Sequence, residues 1–323
     1  MSLSPARSLY KSRGFLQSLK PRVDQFIKAT GNNHDLPYHQ FFQLAALAYE
    51  FKPDLIIELG RAYGNSTFIF TEVANNINSK VISLCNNNFW QEITLPRIKQ
   101  YVNENWLEKL DARFVENFIE VDLEKEIDPA KRVLIFWDAH GFQTAEYILG
   151  YLLPMMRGKE CFIILHDVTD VRYQFVDDSY KQKRIWRVET ANEGEAKVRL
   201  GNFCSFNEQL ISVLDFCGRN KMELRSADES YATELSETEQ NELSNCLGKG
   251  FSTEAHWAYL HLDGKSNFSK LHFPAFERAM IVDENKFRQD YLKDFRRNAD
   301  GFSVRSKTVR QLAIYLQKMV DWF

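Results

Sequence analysis

The sequence predicts an α/β protein, a doubly wound Rossmann-like sheet of about seven mostly parallel strands with helices leading in and a helical extension after it. Three observations carry that expectation. Five short apolar runs, Leu55–Ile57, Val81–Leu84, Phe118–Val121, Val133–Trp137 and Phe162–Leu165, are rich in β-branched and aromatic residues. Strands buried on both faces of a parallel sheet look like this. Helical stretches lie between them, around residues 66–76, 91–110 and 142–157, and alternation of the two builds a sheet with helices on both sides. Of 323 residues 44% are hydrophobic and 25 are Phe, ample for a core, which excludes a disordered or fibrous chain.

In chain order, Met1 to Val23 carries Arg7, Lys11, Arg13, Lys20 and Arg22 without an acid and lacks the apolar core of a secretory signal. It reads as a solvated basic lead-in to a first helix. Residues 14–51 read as helical, with Phe41, Leu44, Ala45, Ala48 and Phe51 on one face. Pro37 suits a first turn, and Pro53 ends the helix by pushing its predecessor out of the α region. The five runs follow. The rhythm breaks at residue 168, and residues 168–204 are polar and aromatic without a period. A helix is expected around 206–219 and a strand near Met222–Leu224. An acidic helical segment from Glu234 to Cys246 and a strand at Trp257–Leu262 complete the series. The division expected is a helical lead-in (1–52), a ligand-binding domain (53–264) and a C-terminal extension (265–323).

That extension has 12 basic and 7 acidic residues, a net +5, which leaves −8 for residues 1–264. Val309, Leu312, Ala313, Leu316, Val320 and Phe323 form one helical stripe there. Such a stripe docks on its own domain or forms a homodimer contact. The whole chain carries −3, which argues against a protein that grips nucleic acid or an anionic membrane. No apolar run reaches the ~20 residues of a membrane span. Five cysteines without a C-x-x-C pair exclude a disulfide scaffold and a zinc ribbon and fit a reducing cytoplasm.

Function concentrates in Asp54–Thr67, which reads DLIIELGRAYGNST. A buried strand ends in Glu58, Gly60 and Gly64 follow, and a helix begins. In an open parallel sheet, ligands bind beyond the C-terminal ends of the strands where the strand order reverses. Gly60 admits backbone close to a ligand, and Gly64 lets the helix pack closely. A dinucleotide fingerprint needs glycine where Glu58 stands, and a carboxylate repels a pyrophosphate. The same carboxylate suits a ligand bearing an ammonium group.

This E-x-G-x-x-x-G-x-S pattern resembles the first motif of class I S-adenosylmethionine (SAM)-dependent methyltransferases. The resemblance spans roughly residues 37–262. It implies that Glu58 holds the amino end of the methionine moiety and that Gly60, Arg61, Gly64 and Ser66 make the cofactor's seat with Asp138. It also implies a ribose partner after the second strand, where Asn86 stands in place of the usual acid. Asp122, after the third predicted strand, resembles the acid that meets the adenine amino group; a helix N-cap is the alternative.

The fourth and fifth predicted strands end in Trp137-Asp138-Ala139-His140-Gly141 and Leu165-His166-Asp167-Val168-Thr169-Asp170. In a parallel sheet both reach the rim of Glu58. A hydroxyl nucleophile must shed its proton to a base or under a divalent cation. His140 is the first candidate base and His166 the second. The clusters look like those of small-molecule O-methyltransferases, including the cephalosporin-hydroxylase and macrocin types. That likeness implies magnesium at Asp138 and Asp167, with Asp170 as a third ligand. Val168 departs from the catechol-type pattern, which has Asn or Asp there.

The 168–204 insertion stands where this fold places acceptor-binding segments. Lys181, Lys183, Arg184 and Arg187 lie beside Tyr173, Phe175, Tyr180 and Trp186, but seven basic and six acidic residues overall do not support RNA binding. The expected function is methyl transfer to a small-molecule hydroxyl. A non-catalytic SAM-binding interaction module and a nicotinamide-dependent oxidoreductase are the rival readings.

Overall fold

The computed structural model of the chain describes residues 3–31, 36–166, 171–174, 185–188 and 200–265. Three helices come first: α1 (Pro5–Lys11), α2 (Arg13–Thr30) and α3 (Tyr38–Phe51). The lead-in is not a solvated arm. Ala6 and Leu9 of α1 are fully buried, and Arg7 pairs with Glu239 at 2.8 Å. The periodicity of the basic stretch hides this, because its few apolar residues are spaced to one face of a short helix. Helix α3 is apolar almost all round and buried along most of its length, as a helix enclosed by neighbours must be.

The sheet begins with β1 (Leu55–Leu59) and continues through α4 (Asn65–Ile77) to β2 (Lys80–Cys85). Next come the short helices α5 (Leu95–Ile98) and α6 (Glu104–Leu107), β3 (Leu110–Phe114), α7 (Glu124–Ile127) and β4 (Arg132–Trp137). Then follow α8 (Phe142–Glu146), α9 (Leu153–Met155), β5 (Glu160–His166), β6 (Val171–Gln174), β7 (Ile185–Val188) and α10 (Leu200–Asn220). The series closes with β8 (Arg225–Ser226), α11 (Ala227–Glu234), α12 (Glu237–Leu247) and β9 (Trp257–Asp263). Two π-helical turns, Trp90–Thr94 and Tyr147–Leu152, lie within the helical stretches before α5 and after α8.

Seven strands form one sheet in the order β3-β2-β1-β4-β5-β9-β8, and β6 pairs with β7 as a separate hairpin. β1 to β5 are parallel; β9 runs antiparallel to β5 and to β8. This is the Rossmann-like methyltransferase sheet expected. All of β1 is buried, as a central strand covered on both faces requires. Strand order reverses between β1 and β4, so their C-terminal ends flank the crevice where such sheets take ligands.

The third strand corrects the expectation. Phe118–Glu120 is a 3₁₀ turn started by Asn117, whose side chain accepts from the Ile119 amide. The strand is Leu110–Phe114, which starts at the last residue of the stretch expected to be helical, 91–110, and runs beyond it. As an edge strand it pairs only with β2 and is half-exposed. It therefore needs no continuous apolar run, and its LDARF sequence shows none. The strand expected at Met222–Leu224 is the two-residue β8 just beyond it. The acidic segment is α12, which opens with a capping box between Ser236 and Glu239. Most of the 168–204 insertion and the whole apolar stripe at residues 309–323 lie outside the described residues. Among the described residues, no helix is long and apolar enough to cross a membrane.

Candidate active site

Parallel register brings the predicted rim together. Leu59 stands opposite Leu84 of β2 and Trp137 of β4, and Trp137 stands opposite Leu165 of β5. One residue further on, Gly60, Cys85, Asp138 and His166 share one end of the sheet. The turn is sewn to its neighbours by backbone bonds from Gly60 N to Leu84 O (3.0 Å) and from Asp138 N to Leu59 O (2.8 Å).

Glycine is required at both turn positions. Gly60 has φ +94°, and a Cβ there would lie 2.5 Å from the carbonyl oxygen of Asp138. Gly64 has φ +86°, and a Cβ there would run into the indole of Trp90, which is 1% exposed. The first π-helical turn thus sits against the glycine turn. The Tyr63 and Phe89 rings stack at 4.8 Å, and Thr94 Oγ1 donates to Tyr63 O at 2.6 Å. Trp90 is a residue that sequence reasoning passed over. Its signal, a large aromatic just after β2, does not differ from ordinary core.

Glu58 is fully buried. Ser66 Oγ donates to its Oε1 and Thr67 Oγ1 to its Oε2, both at 2.5 Å, and Ser83 Oγ donates to Oε2 in a short bond. Burial pushes the carboxyl above its ordinary range, and the three hydroxyls and Arg61 oppose that shift. Arg61 is 2% exposed and turns inward. It donates to Ser83 O (2.7 Å), Ser83 Oγ (3.0 Å) and Arg113 O (3.3 Å). Burial lowers its pKa, and Glu58 works against that.

Glu58, Arg61 and Ser66 therefore anchor the turn from beneath. In this arrangement each Glu58 oxygen already accepts from a hydroxyl and the side chain is fully buried, so a ligand's ammonium group would meet it only indirectly. Ser83 stands opposite Glu58 in register. A serine within the apolar run of β2 was the available sign of that pairing.

Other parts of the turn do fit a SAM-like ligand. Gly60 and Ala62 are only half-buried and present backbone to the rim, both at positive φ. Helix α4 opens at Gly64 with no side-chain cap, so its first-turn amides are donors suited to a carboxylate. Asn86 is exposed at the end of β2.

Asp122 is not at a strand end. It accepts from the Glu124 amide (2.9 Å) and the Tyr151 hydroxyl (3.0 Å), and these bonds hold its carboxyl below the ordinary range. Asp122 stands one residue ahead of the N-cap position of α7, which is Leu123 without a side-chain cap, so it shapes the turn into that helix rather than capping it. The residues that do follow β3 are Val115, Glu116 and Asn117.

At the other side of the crevice, Asp138 Oδ1 lies 2.8 Å from Nδ1 of His166, and Nε2 of His166 lies 2.9 Å from Gln40 Oε1. His166 is 3% exposed, a buried bridge rather than an open base. His140 is half-buried, with Nδ1 3.2 Å from Gln209 Oε1 on α10. An amide oxygen only accepts, so in the neutral ring Nδ1 carries the hydrogen and Nε2 the basic lone pair. Asp167 and Asp170 lie outside the described residues. Among the described residues no group of three His, Cys, Asp or Glu side chains is suited to a metal ion. Asp138 alone does not make a magnesium site.

Residues 36–180 match the family model described as Rhamnosyl O-methyltransferase/CmcI. No curated protein matches the sequence. Among solved structures, the chain is similar to the SAH-bound methyltransferase PaMTH1 of Podospora anserina, at 12% identity over 67% of this chain and 81% of that one (TM-score 0.39). An O-methyltransferase from Bacillus cereus in complex with SAH is 15% identical over 64% and 82% (TM-score 0.39). The O-methyltransferase TomG from Streptomyces achromogenes, involved in tomaymycin synthesis and bound to SAM, is 15% identical over 62% and 80% (TM-score 0.39). Over residues 36–180, which hold the glycine turn and the rim, the sequence is similar to the rhamnosyl O-methyltransferase/CmcI family, in keeping with its resemblance to class I SAM-dependent O-methyltransferases.

Proposed function

We propose that the chain transfers a methyl group from SAM to a hydroxyl oxygen of a small molecule, and that a sugar hydroxyl is the acceptor class. The observation that carries this is the glycine turn at the strand-order reversal, inside the segment matched by the family model. The word rhamnosyl in that family's description supports the sugar acceptor. Gly60 and Ala62 would bring backbone to the cofactor, Asn86 would meet its ribose hydroxyls, and the opening amides of α4 would face its carboxylate. Glu58 holds that turn in shape from below. The cofactor supplies an electrophilic methyl group on a sulfonium.

The protein's own part is chiefly to hold the acceptor oxygen in line, where orientation lowers the barrier most. His140 is the candidate to take the hydroxyl proton at Nε2, with Nδ1 held by Gln209. Proton transfer to a placed base contributes about 10²–10⁴-fold. His166 is too enclosed for that role and serves Asp138 instead.

The test is binding of S-adenosylhomocysteine (SAH) by calorimetry, followed by methyl transfer from labelled SAM to methyl α-L-rhamnopyranoside. His140→Ala should slow turnover by about 10²-fold and leave SAH affinity as it was. Absence of SAH binding refutes the reading. Binding of SAH without transfer to any sugar favours the non-catalytic module.

A further inference from the structure

Gln40 lies on α3, well before the first strand, and is 1% exposed. Its Nε2 donates to the carbonyl of Ala255 at 2.5 Å. A carbonyl accepts only, so this bond fixes which end of the amide faces the other way. Oε1 therefore turns to His166, whose Nε2 must be the donor across 2.9 Å. With Nε2 donating to Gln40, the Nδ1 edge of the ring, 2.8 Å from Asp138 Oδ1, donates to that carboxylate only when the ring carries a hydrogen on both nitrogens, so the bonded pair is an imidazolium with a carboxylate. Exposure rises along this line, from the buried Gln40 and His166 to an Asp138 side chain that is 21% exposed at the rim.

The far end of the line is also braced. Ala255 N donates to Asp228 Oδ1 at 2.7 Å. Gln43, one turn along α3 from Gln40, donates from Nε2 to the carbonyls of Ser252 (3.1 Å) and Glu254 (3.0 Å). The amide of Gln40 is thus held between a fixed loop and a buried ring.

We propose that Gln40 is a positioning residue for the reaction: through His166 it sets the place and direction of the Asp138 carboxylate on the rim. This rests on reading that rim as a methyltransferase site. An Asp side chain alone has two soft torsions. One bonded to a ring that is held on both edges has a single orientation at no cost during turnover, as preorganised sites require. The helix ahead of the sheet thereby belongs to the site.

The test uses the full chain with Gln40→Leu and Gln40→Met, both of which remove the two bonds at similar side-chain volume. Ring nitrogen signals of His166 are followed by ¹⁵N–¹H spectroscopy and assigned by their loss in His166→Asn. Methyl transfer to methyl α-L-rhamnopyranoside and SAH binding are measured beside them. In Gln40→Leu the Nε2 signal should shift or broaden by exchange and kcat should fall about tenfold or more. Gln40→Met, closer in shape to the native side chain, should behave as Gln40→Leu does.

His166 signals that stay in place in Gln40→Leu overturn the proposal. So does a kcat that holds in a folded Gln40→Leu. A lowered melting temperature with signals and rate intact marks Gln40 as merely structural and overturns it equally. If the wild type neither binds SAH nor methylates the sugar, the methyltransferase reading fails and the catalytic part of the proposal falls with it. The nitrogen spectra still decide separately whether Gln40 holds His166.

Discussion

Replacing Gly60 with alanine tests the turn at its tightest point. The added carbon would stand 2.5 Å from the Asp138 carbonyl oxygen, 2.7 Å from its carbon and 2.9 Å from the Ala139 nitrogen. All three are backbone atoms, and Asp138 is tied to Leu59 by a 2.8 Å bond, so nothing there yields easily. A left-handed φ costs a residue with a Cβ about 1–2 kcal/mol, and overpacking adds about 1–3 kcal/mol. A combined loss of about 3 kcal/mol lowers the melting temperature of a domain this size by roughly 6–12 °C. Relief has to come from prising β1's turn away from the end of β4, so SAH binding should weaken as well. Equilibrium urea unfolding and calorimetry with SAH measure the two effects. Wild-type unfolding and wild-type affinity together would refute the geometry drawn for the turn.

Gly64→Ala should destabilise at least as much, and Trp90→Leu should recover part of that loss by making room; additive melting-temperature shifts in the double variant would refute the contact. Glu58→Ala strands three hydroxyls and the buried Arg61 and should cost about 3–5 kcal/mol in urea unfolding. Glu58→Gln keeps an acceptor oxygen and should cost about 1–2 kcal/mol. Burial raises the Glu58 carboxyl in the folded state, so its contribution to stability is present at low pH and lost as pH rises through that raised value. Glu58→Gln should flatten this part of the stability–pH curve. Glu239 behaves oppositely. The bonds from Arg7 and from the Ser236 amide hold it at about 2, so what it contributes is present above 4.5, the ordinary value, and lost as pH falls toward 2. Melting curves from pH 6 down to pH 2 should lose this acid-side step in Glu239→Gln.

The central strands were legible because burial on both faces leaves a continuous apolar run, which Phe118–Val121 imitates without being a strand. Leu55–Ile57 and Val133–Trp137 mark β1 and β4, and Glu58 with the two glycines marks the turn between β1 and α4. The third strand was not legible. At a sheet edge one side chain in two meets water, so Leu110–Phe114 carries charge, while the more apolar Phe118–Val121 has no strand to pair with. The site was legible as a set of positions and not as a set of orientations. Sequence spacing brought Glu58, Asp138 and His166 to one rim. Whether Glu58 looks outward or down depends on Ser83, a partner 25 residues away. His166 likewise owes its enclosure to Gln40, on a helix 126 residues earlier in the chain.

The carboxylate of Glu58 is where β1, β2 and α4 meet, and Arg61 extends the junction to the carbonyl of Arg113 in β3. A joint shared by four elements resists piecemeal change, since altering any one member unsettles the rest. One wall of the crevice is therefore cast rigidly with the sheet itself.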